Sequence, residues 1–264
     1  MALLFEEQTR ALIGCFFEVH NAVGVGFDER TYHQALECRL RAAGIGYRSR
    51  ERKALIHRGC KVREFEVNFI AGEDIVLELK ALQSAFLQAN YVQIISELKL
   101  WQKSLGLLVN FGLHKVYFQR IPYSEKPKQI SENYEHLPAG LSREEEQLLV
   151  SVREAICSVM EIHGLGFGET VYRRLLAAEL DFRGIHFRRR APIQVEFEGK
   201  HINTFVMKPL LIENRVICDL KALRSEIDFY DIAKIQSYLR SLRLDIGLIA
   251  NFGKHELEIR AIHA

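Results

Sequence analysis

The sequence predicts an α/β fold in two tandem domains, each a mixed sheet flanked by helices. Three observations carry this: a set of landmarks occurs twice in the same order, each copy alternates helical and strand periodicity in the same way, and the stretch between the copies has linker composition. Gly26-Phe27-Asp28-Glu29-Arg30-Thr31-Tyr32 returns 140 positions later as Gly166-Phe167-Gly168-Glu169-Thr170-Val171-Tyr172. Gly44-Ile45 returns as Gly184-Ile185, Leu79-Lys80-Ala81-Leu82 as Leu220-Lys221-Ala222-Leu223, and Asn110-Phe111-Gly112 as Asn251-Phe252-Gly253. So long a period is not a solenoid repeat, and each copy holds enough apolar segments for its own core. The predicted domains are residues 1–121 and 142–264. Residues 122–141, with Pro122, Pro127 and Pro138 among Ser, Lys, Glu and Asn, join them. Internal pseudo-twofold pairing of the copies is expected.

Within the first copy, Leu12, Ile13, Phe16 and Val19 recur at helical spacing over residues 9 to 20. After a glycine-rich turn a second helix carries Tyr32, Ala35, Leu36 and Leu40, matched by Tyr172, Leu175, Leu176 and Leu180. Phe65, Val67 and Phe69 then alternate with their neighbours as a strand, Gly72-Glu73-Asp74 turns the chain, and Ile75 to Lys80 pairs back. A helix over about residues 88 to 103, a strand from Gly106 to Asn110 and a last strand from His114 to Arg120 complete the pattern. In the second copy, Ser142 followed by Glu145 is a capping-box pattern, so the acidic run Glu144-Glu145-Glu146 reads as the first turn of a helix.

Composition bounds the function classes. With 48% hydrophobic and 27% charged residues, disorder, collagen and coiled coil are excluded. Apolar runs such as Ala11 to Phe17 are far shorter than a membrane span needs, and Glu6 and Glu7 stand where a leader would be basic. The five cysteines are odd in number and form no CxxC pair, which points to reduced thiols and no zinc. A soluble, cytoplasmic protein is therefore expected. A net charge of +2 exerts no strong pull on nucleic acid, so a basic surface must come from local clusters. Arg48, Arg50, Arg52 and Lys53 form one, and Arg188, Arg189 and Arg190 stand at the equivalent place. Phosphate contact through Arg48, Arg50, Arg188 and Arg190 and a merely solvated strand start are both open readings.

The chemistry concentrates on one strand. Alternate side chains of a strand share a face, so Glu78 and Lys80 project together while Ile75, Leu77 and Leu79 face the opposite layer. Asp219 and Lys221 repeat this arrangement. A carboxylate can ligate a divalent cation and an adjacent lysine can stabilise charge developing on phosphate, although an ordinary ion pair is the alternative.

Glu18-Val19-His20, the Gly-x-x-Glu-x-x-Tyr run from Gly26 to Tyr32, Glu78-Leu79-Lys80-Ala81, Gln93 and the segment Gly106 to Gly112 together resemble the GxxExxY protein family of the PD-(D/E)XK nuclease-like superfamily. The resemblance covers nearly all of each copy. It implies a restriction-endonuclease-like core in which a helical Glu, a strand Asp and the Glu of Glu-x-Lys gather Mg²⁺ or Mn²⁺, and Lys assists attack of water on a phosphodiester. Its site residues fall on Glu29, Glu78, Lys80 and Gln93 in the first copy and on Glu169, Asp219 and Lys221 in the second. The strand Asp is missing from both: Asn68 stands there in the first copy, Lys208 or Pro209 in the second, and the helical Gln is replaced by Lys234. Asn offers an oxygen without charge, and Glu66, expected on the same strand face, is the candidate to substitute for it, so a metal site built from Glu78, Glu29, Glu66 and Asn68 is expected to be weak in the first domain and absent in the second, where Lys208 would neutralise Glu169 and Asp219. The leading expectation is a degenerate nuclease-like protein with a nucleic-acid-binding or scaffold role. A metal-dependent phosphodiesterase working through the first domain and a protein-interaction module are the alternatives.

Tyr32 and Tyr172 lie about one helical turn beyond Glu29 and Glu169, so a hydroxyl near the carboxylate and core packing with a satisfied hydroxyl are both open; Asn110 and Asn251 are read as parts of the fold, His20 and His163 as hydrogen-bonding helix ends, and Trp101 as a core or interface anchor.

Overall fold

The computed structural model describes residues 4–264 except 126, 136, 138, 139, 223–225 and 254; Pro138 of the linker and Leu223 of the repeat lie outside the described residues. The first copy runs α1 (Glu6–Val23), α2 (Glu29–Ala42), β1 (Tyr47–Ser49), β2 (Arg52–His57), β3 (Cys60–Glu66), β4 (Phe69–Ala71), β5 (Ile75–Lys80), α3 (Gln88–Trp101), β6 (Leu105–Asn110) and β7 (Tyr117–Pro122). After β8 (Ile130–Asn133), the second runs α4 (Arg143–His163), α5 (Glu169–Phe182), β9 (Phe187–Arg188), β10 (Pro192–Phe197), β11 (Lys200–Val206), β12 (Leu210–Ile212), β13 (Val216–Ala222), α6 (Phe229–Leu242), β14 (Ile246–Phe252) and β15 (Leu257–His263). These elements make two compact units, Met1–Leu55 with Arg63–Ser124, and Ile56–Val62 with Glu125–Ala264.

In the first unit the sheet order is β1-β4-β5-β6-β7, and only β5 and β6 are parallel. A parallel pair needs a crossover, and α3 supplies it between these two strands. The apolar faces of α1 and α2 pack Leu12, Phe16, Tyr32 and Leu36 with Leu77, Leu79 and Val109 of the sheet in one buried cluster. Tyr32 stacks on Phe111 at 5.0 Å between ring centroids and donates its hydroxyl to the Gly24 carbonyl at 2.9 Å. The repeated tyrosine is therefore a core residue with a satisfied hydroxyl, and Tyr172 repeats it on Phe252 and Gly164. Asp28 caps α2 by accepting from Thr31 N, and the Ser142–Glu145 capping box opens α4 as expected.

Asn110 ties the loop after β5 to the end of β6. Its Oδ1 accepts from Leu82 N at 2.8 Å and Gly112 N at 3.0 Å, and its Nδ2 donates to the carbonyls of Leu82 and Ser84 at 3.0 and 3.1 Å. Asn110→Ala leaves those backbone groups without their partner. The expected loss is about 1–3 kcal/mol, measurable by urea denaturation with an unchanged m-value.

The second unit's sheet is ordered β8-β15-β14-β13-β12-β9, with β13–β14 and β15–β8 parallel. The segment read as linker thus contributes an edge strand, β8, which pairs with β15 from Leu257–Ile130 to Arg260–Asn133. A second departure concerns the strand expected over Phe65 to Ile70. It breaks at Val67 and Asn68: β3 pairs with β2 in a two-stranded ribbon, while β4 pairs with β5. β10 and β11 form the equivalent ribbon. Both ribbons turn on two residues of positive φ, Arg58-Gly59 (48°, 77°) and Glu198-Gly199 (51°, 73°), the backbone that matches the twist of paired strands.

Candidate active site and its counterpart in the second copy

Three elements of the first unit, α2, β5 and α3, and the bend at Asn68 converge at the end of β5. Alternation on the strand sets Glu78 and Lys80 on one face, and Lys80 Nζ lies 2.6 Å from Glu78 Oε1. Glu29, the first residue of α2, approaches Lys80 Nζ to 3.6 Å and accepts from Asn68 Nδ2 at 3.5 Å. From α3, Gln93 donates to Glu97 Oε1 at 3.0 Å, and the Glu97 carboxyl lies near enough to that of Glu78 for each to act on the other's charge. The candidate residues Glu29, Glu78, Lys80, Gln93 and Asn68 are therefore brought together.

Two expectations change. Asn68 Oδ1 already accepts from Leu79 N at 2.7 Å, so the oxygen expected to face a cation is held by the backbone. Glu66 does not share a strand face with Asn68, because β3 ends at Glu66 and Asn68 lies in the bend beyond it; its carboxylate takes a 2.7 Å hydrogen bond from Arg52 Nε.

Glu97 is the acid that sequence reasoning missed. It stands four residues after Gln93 on the same face of α3, a spacing that marks it only once Gln93 is known to face the site. Glu78 and Glu97 are both almost fully buried, and one oxygen of each has no hydrogen-bond partner. Burial pushes the Glu78 carboxyl up to about 7 against the pull of Lys80. Burial, then the Glu78 charge, raise Glu97 well above the carboxylate range. Burial opposes the charge on Lys80, but Glu78 and then Glu29 outweigh it and hold the ammonium above its usual value. The site thus combines a fixed cation with two buried acids that hold each other's charge down.

At the equivalent place in the second unit the acids are matched one to one by lysines. Asp219 Oδ2 lies 2.6 Å from Lys234 Nζ and 3.4 Å from Lys221 Nζ, and Lys221 Nζ lies 2.6 Å from Asp231 Oδ1. Lys234 occupies the place of Gln93, Asp231 that of Asn90, and the half-buried Tyr238 that of Glu97. Glu169 pairs with Arg173 one turn along α5. The lysine expected to neutralise this site, Lys208, is exposed instead; Lys234 does so from α6.

The family model of the PD-(D/E)XK nuclease superfamily matches residues 6–121 and 146–262, that is, both copies. The chain belongs to that superfamily. No curated protein and no solved structure matches it. Two nuclease-superfamily domains in tandem therefore account for the duplication, and both mixed sheets carry the acid-x-Lys strand beside its parallel neighbour.

The metal that this superfamily implies fits the two sites differently. Among the described residues no cluster of three or more His, Cys, Asp or Glu is arranged to hold a metal ion. Mg²⁺, however, is commonly bound through one or two carboxylates, with water and substrate phosphate completing its shell. The unpartnered oxygens of Glu78 and Glu97 fit that pattern. The second site does not, because both of its buried acids are engaged by lysines.

Of the basic residues, Arg48 pairs with Glu51 at 3.3 Å, while Arg50, Arg188 and Arg190 are exposed. Arg48 and Arg188 hold matching edge positions, opposite Ile70 and Leu211. His20 Nε2 hydrogen-bonds the Leu113 carbonyl at 2.9 Å, Trp101 is buried at the end of α3, and all five cysteines are unbridged. Among the described residues no helix is long and apolar enough to cross a membrane.

Proposed function

We propose that the protein is a metal-dependent phosphodiesterase of nucleic acids that works through its first domain, the second being a metal-free counterpart. The observation that carries this reading is the buried Glu78–Glu97 pair, with unpartnered oxygens, beside Lys80 and Glu29. The sequence alone leaned towards a site degraded by loss of its strand Asp. An acid from α3 restores a second carboxylate and reverses that lean. The finer kinship with GxxExxY proteins is part of the same proposal, since Glu29 and Tyr32 belong to its motif.

In this reading Glu78 and Glu97 hold Mg²⁺ or Mn²⁺, with Glu29 at the border of the site. The bound ion supplies Lewis acidity towards a phosphoryl oxygen and a more acidic water. Lys80, kept charged by Glu78 and Glu29, faces the charge that develops on phosphate. Gln93 fixes the Glu97 carboxyl by its 3.0 Å hydrogen bond. Arg50, Arg188 and Arg190 supply exposed positive charge for a polyanion, with Arg48 beside them paired to Glu51, so affinity for DNA or RNA should fall as salt rises.

Calorimetric titration of Mn²⁺ into the intact chain tests the assignment. One site per chain is expected, lost in Glu97→Gln and kept in Asp219→Asn. Absence of binding would sink the reading in favour of a scaffold role, and binding abolished by Asp219→Asn alone would sink it by placing the metal in the second domain.

A further inference from the structure

The two ribbon tips are equivalent in sequence, yet their surroundings differ. The tip Ile56–Val62 is part of the second unit, where it sits against α4 and α5. His57 is buried, with Nε2 2.8 Å from Glu179 Oε2 and Nδ1 2.9 Å from His163 Nε2. Arg58 Nε also reaches Glu179 Oε2 at 2.8 Å, its Nη2 donates to Ser158 Oγ, and its guanidinium lies over the Phe182 ring. The loop between α4 and α5 is covered as well: Leu165 is 4% and Phe167 2% exposed.

Among the described residues the other tip, at Glu198-Gly199, has no such seat. Phe197, at the place of His57, is 66% exposed, and Ile202 is 61% exposed. The face equivalent to α4–α5 is bare too, since Val25 and Phe27, counterparts of Leu165 and Phe167, are 49% and 51% exposed. An exposed apolar tip and an exposed apolar loop are thus left over, each equivalent to one half of a contact that the chain already makes. At the central pair the charges are inverted, with Glu18 beside it at the place of Ser158. Glu198 stands where Arg58 does, and Arg39 stands where its partner Glu179 does. Arg39 pairs at the surface with Glu18, which is 55% exposed.

We infer that the chain self-associates by seating the Glu196–Ile202 tip of one copy on the α1–α2 face of a second copy, with Glu198 against Arg39 and Phe197 against the loop bearing Val25 and Phe27. The occupant is another copy because tip and face are both carried by this chain, and both are exposed in the single chain. Two reciprocal contacts of this kind close a two-fold dimer, the smallest assembly that leaves neither surface bare.

Sedimentation equilibrium of the intact chain tests this. The wild type should run above the 30.5 kDa of one chain, as a dimer or larger closed assembly. Glu198→Arg and Arg39→Glu should each weaken association at least about tenfold by setting like charges opposite, and the double variant should restore it. Both substitutions suit their sites, because Arg58 has φ of 48° against 51° at Glu198, and Glu179 holds the same helical place as Arg39. Thermal melts confirm that each variant is folded. A monomeric wild type at about 100 µM, well above the micromolar range of ordinary interfaces, overturns the inference. So does failure of the double swap to rescue folded single variants.

Discussion

Glu97→Gln is expected to lower Mn²⁺-dependent cleavage of nucleic acid by on the order of 10²–10³-fold while leaving the melting temperature unchanged or raised. The substitution keeps the size of the side chain and its contact with Gln93, but removes the charge that a cation needs. It also removes the like-charge conflict with buried Glu78, whose carboxyl stands at about 7 through burial. Loss of activity with no loss of stability is the signature of a metal-holding acid, whereas a purely structural Glu97 would give the reverse. Glu78→Gln should be at least as damaging, and Asp219→Asn should leave the rate untouched because the second site is filled by Lys221 and Lys234. The check is cleavage of labelled DNA and RNA with Mn²⁺, set beside thermal melts of the same samples. An active Glu97→Gln protein removes Glu97 from the site.

Glu179→Ala is expected to be the most destabilising single change in the second unit. Glu179 is fully buried and takes 2.8 Å hydrogen bonds from His57 Nε2, Arg58 Nε and Arg183 Nε. Its removal strands two guanidiniums and a buried imidazole, a loss of about 3–5 kcal/mol and roughly a 10 °C fall in melting temperature. The pH dependence has a definite sign. Burial alone would raise the Glu179 carboxyl, but hydrogen bonds from Arg58, Arg183, His57 and Ser158 outweigh it and bring it from 4.5 down to about 2. A depressed carboxyl contributes stability that is present above 4.5 and lost as pH falls towards 2. His57 acts in the same direction, since burial, opposed by Glu179, lowers it below 6.5, and its share is lost as pH falls below that value. Arg58 reinforces the His57 shift, while His163 from α4 and Glu154, paired with Arg183, complete the polar surroundings. Stability should therefore fall steadily on acidification. Glu179→Gln should flatten the part between 4.5 and 2, which urea denaturation across pH can read.

Much of the fold was legible because it rests on local period and repetition. The spacing of Leu12, Phe16 and Val19, the matched helices from Tyr32 and Tyr172, and the alternation from Ile75 to Lys80 are properties of consecutive residues. The ribbons were not legible: residues 52–57 lack a clean alternation, and the break at Val67-Asn68 depends on which strand each side pairs with. Likewise β8 lies in a segment of linker composition and becomes a strand only because β15 offers it an edge.

The sequence by itself determined the duplication, the two mixed α/β sheets and the pairs Glu78–Lys80 and Asp219–Lys221, since those follow from recurrence and from two-residue strand geometry. Only the tertiary structure decided which further charges meet those pairs. Glu97, Asp231 and Lys234 come from helices that follow those strands, and the separate Glu179 cluster joins a helix to a ribbon tip distant in the chain; whether such groups face a site or solvent depends on helix rotation and packing. One acid brought by α3 and one lysine brought by α6 separate a site with two unpartnered carboxyl oxygens from one whose acids are held by lysines, because a buried charge is settled by its nearest partner rather than by its place in the sequence.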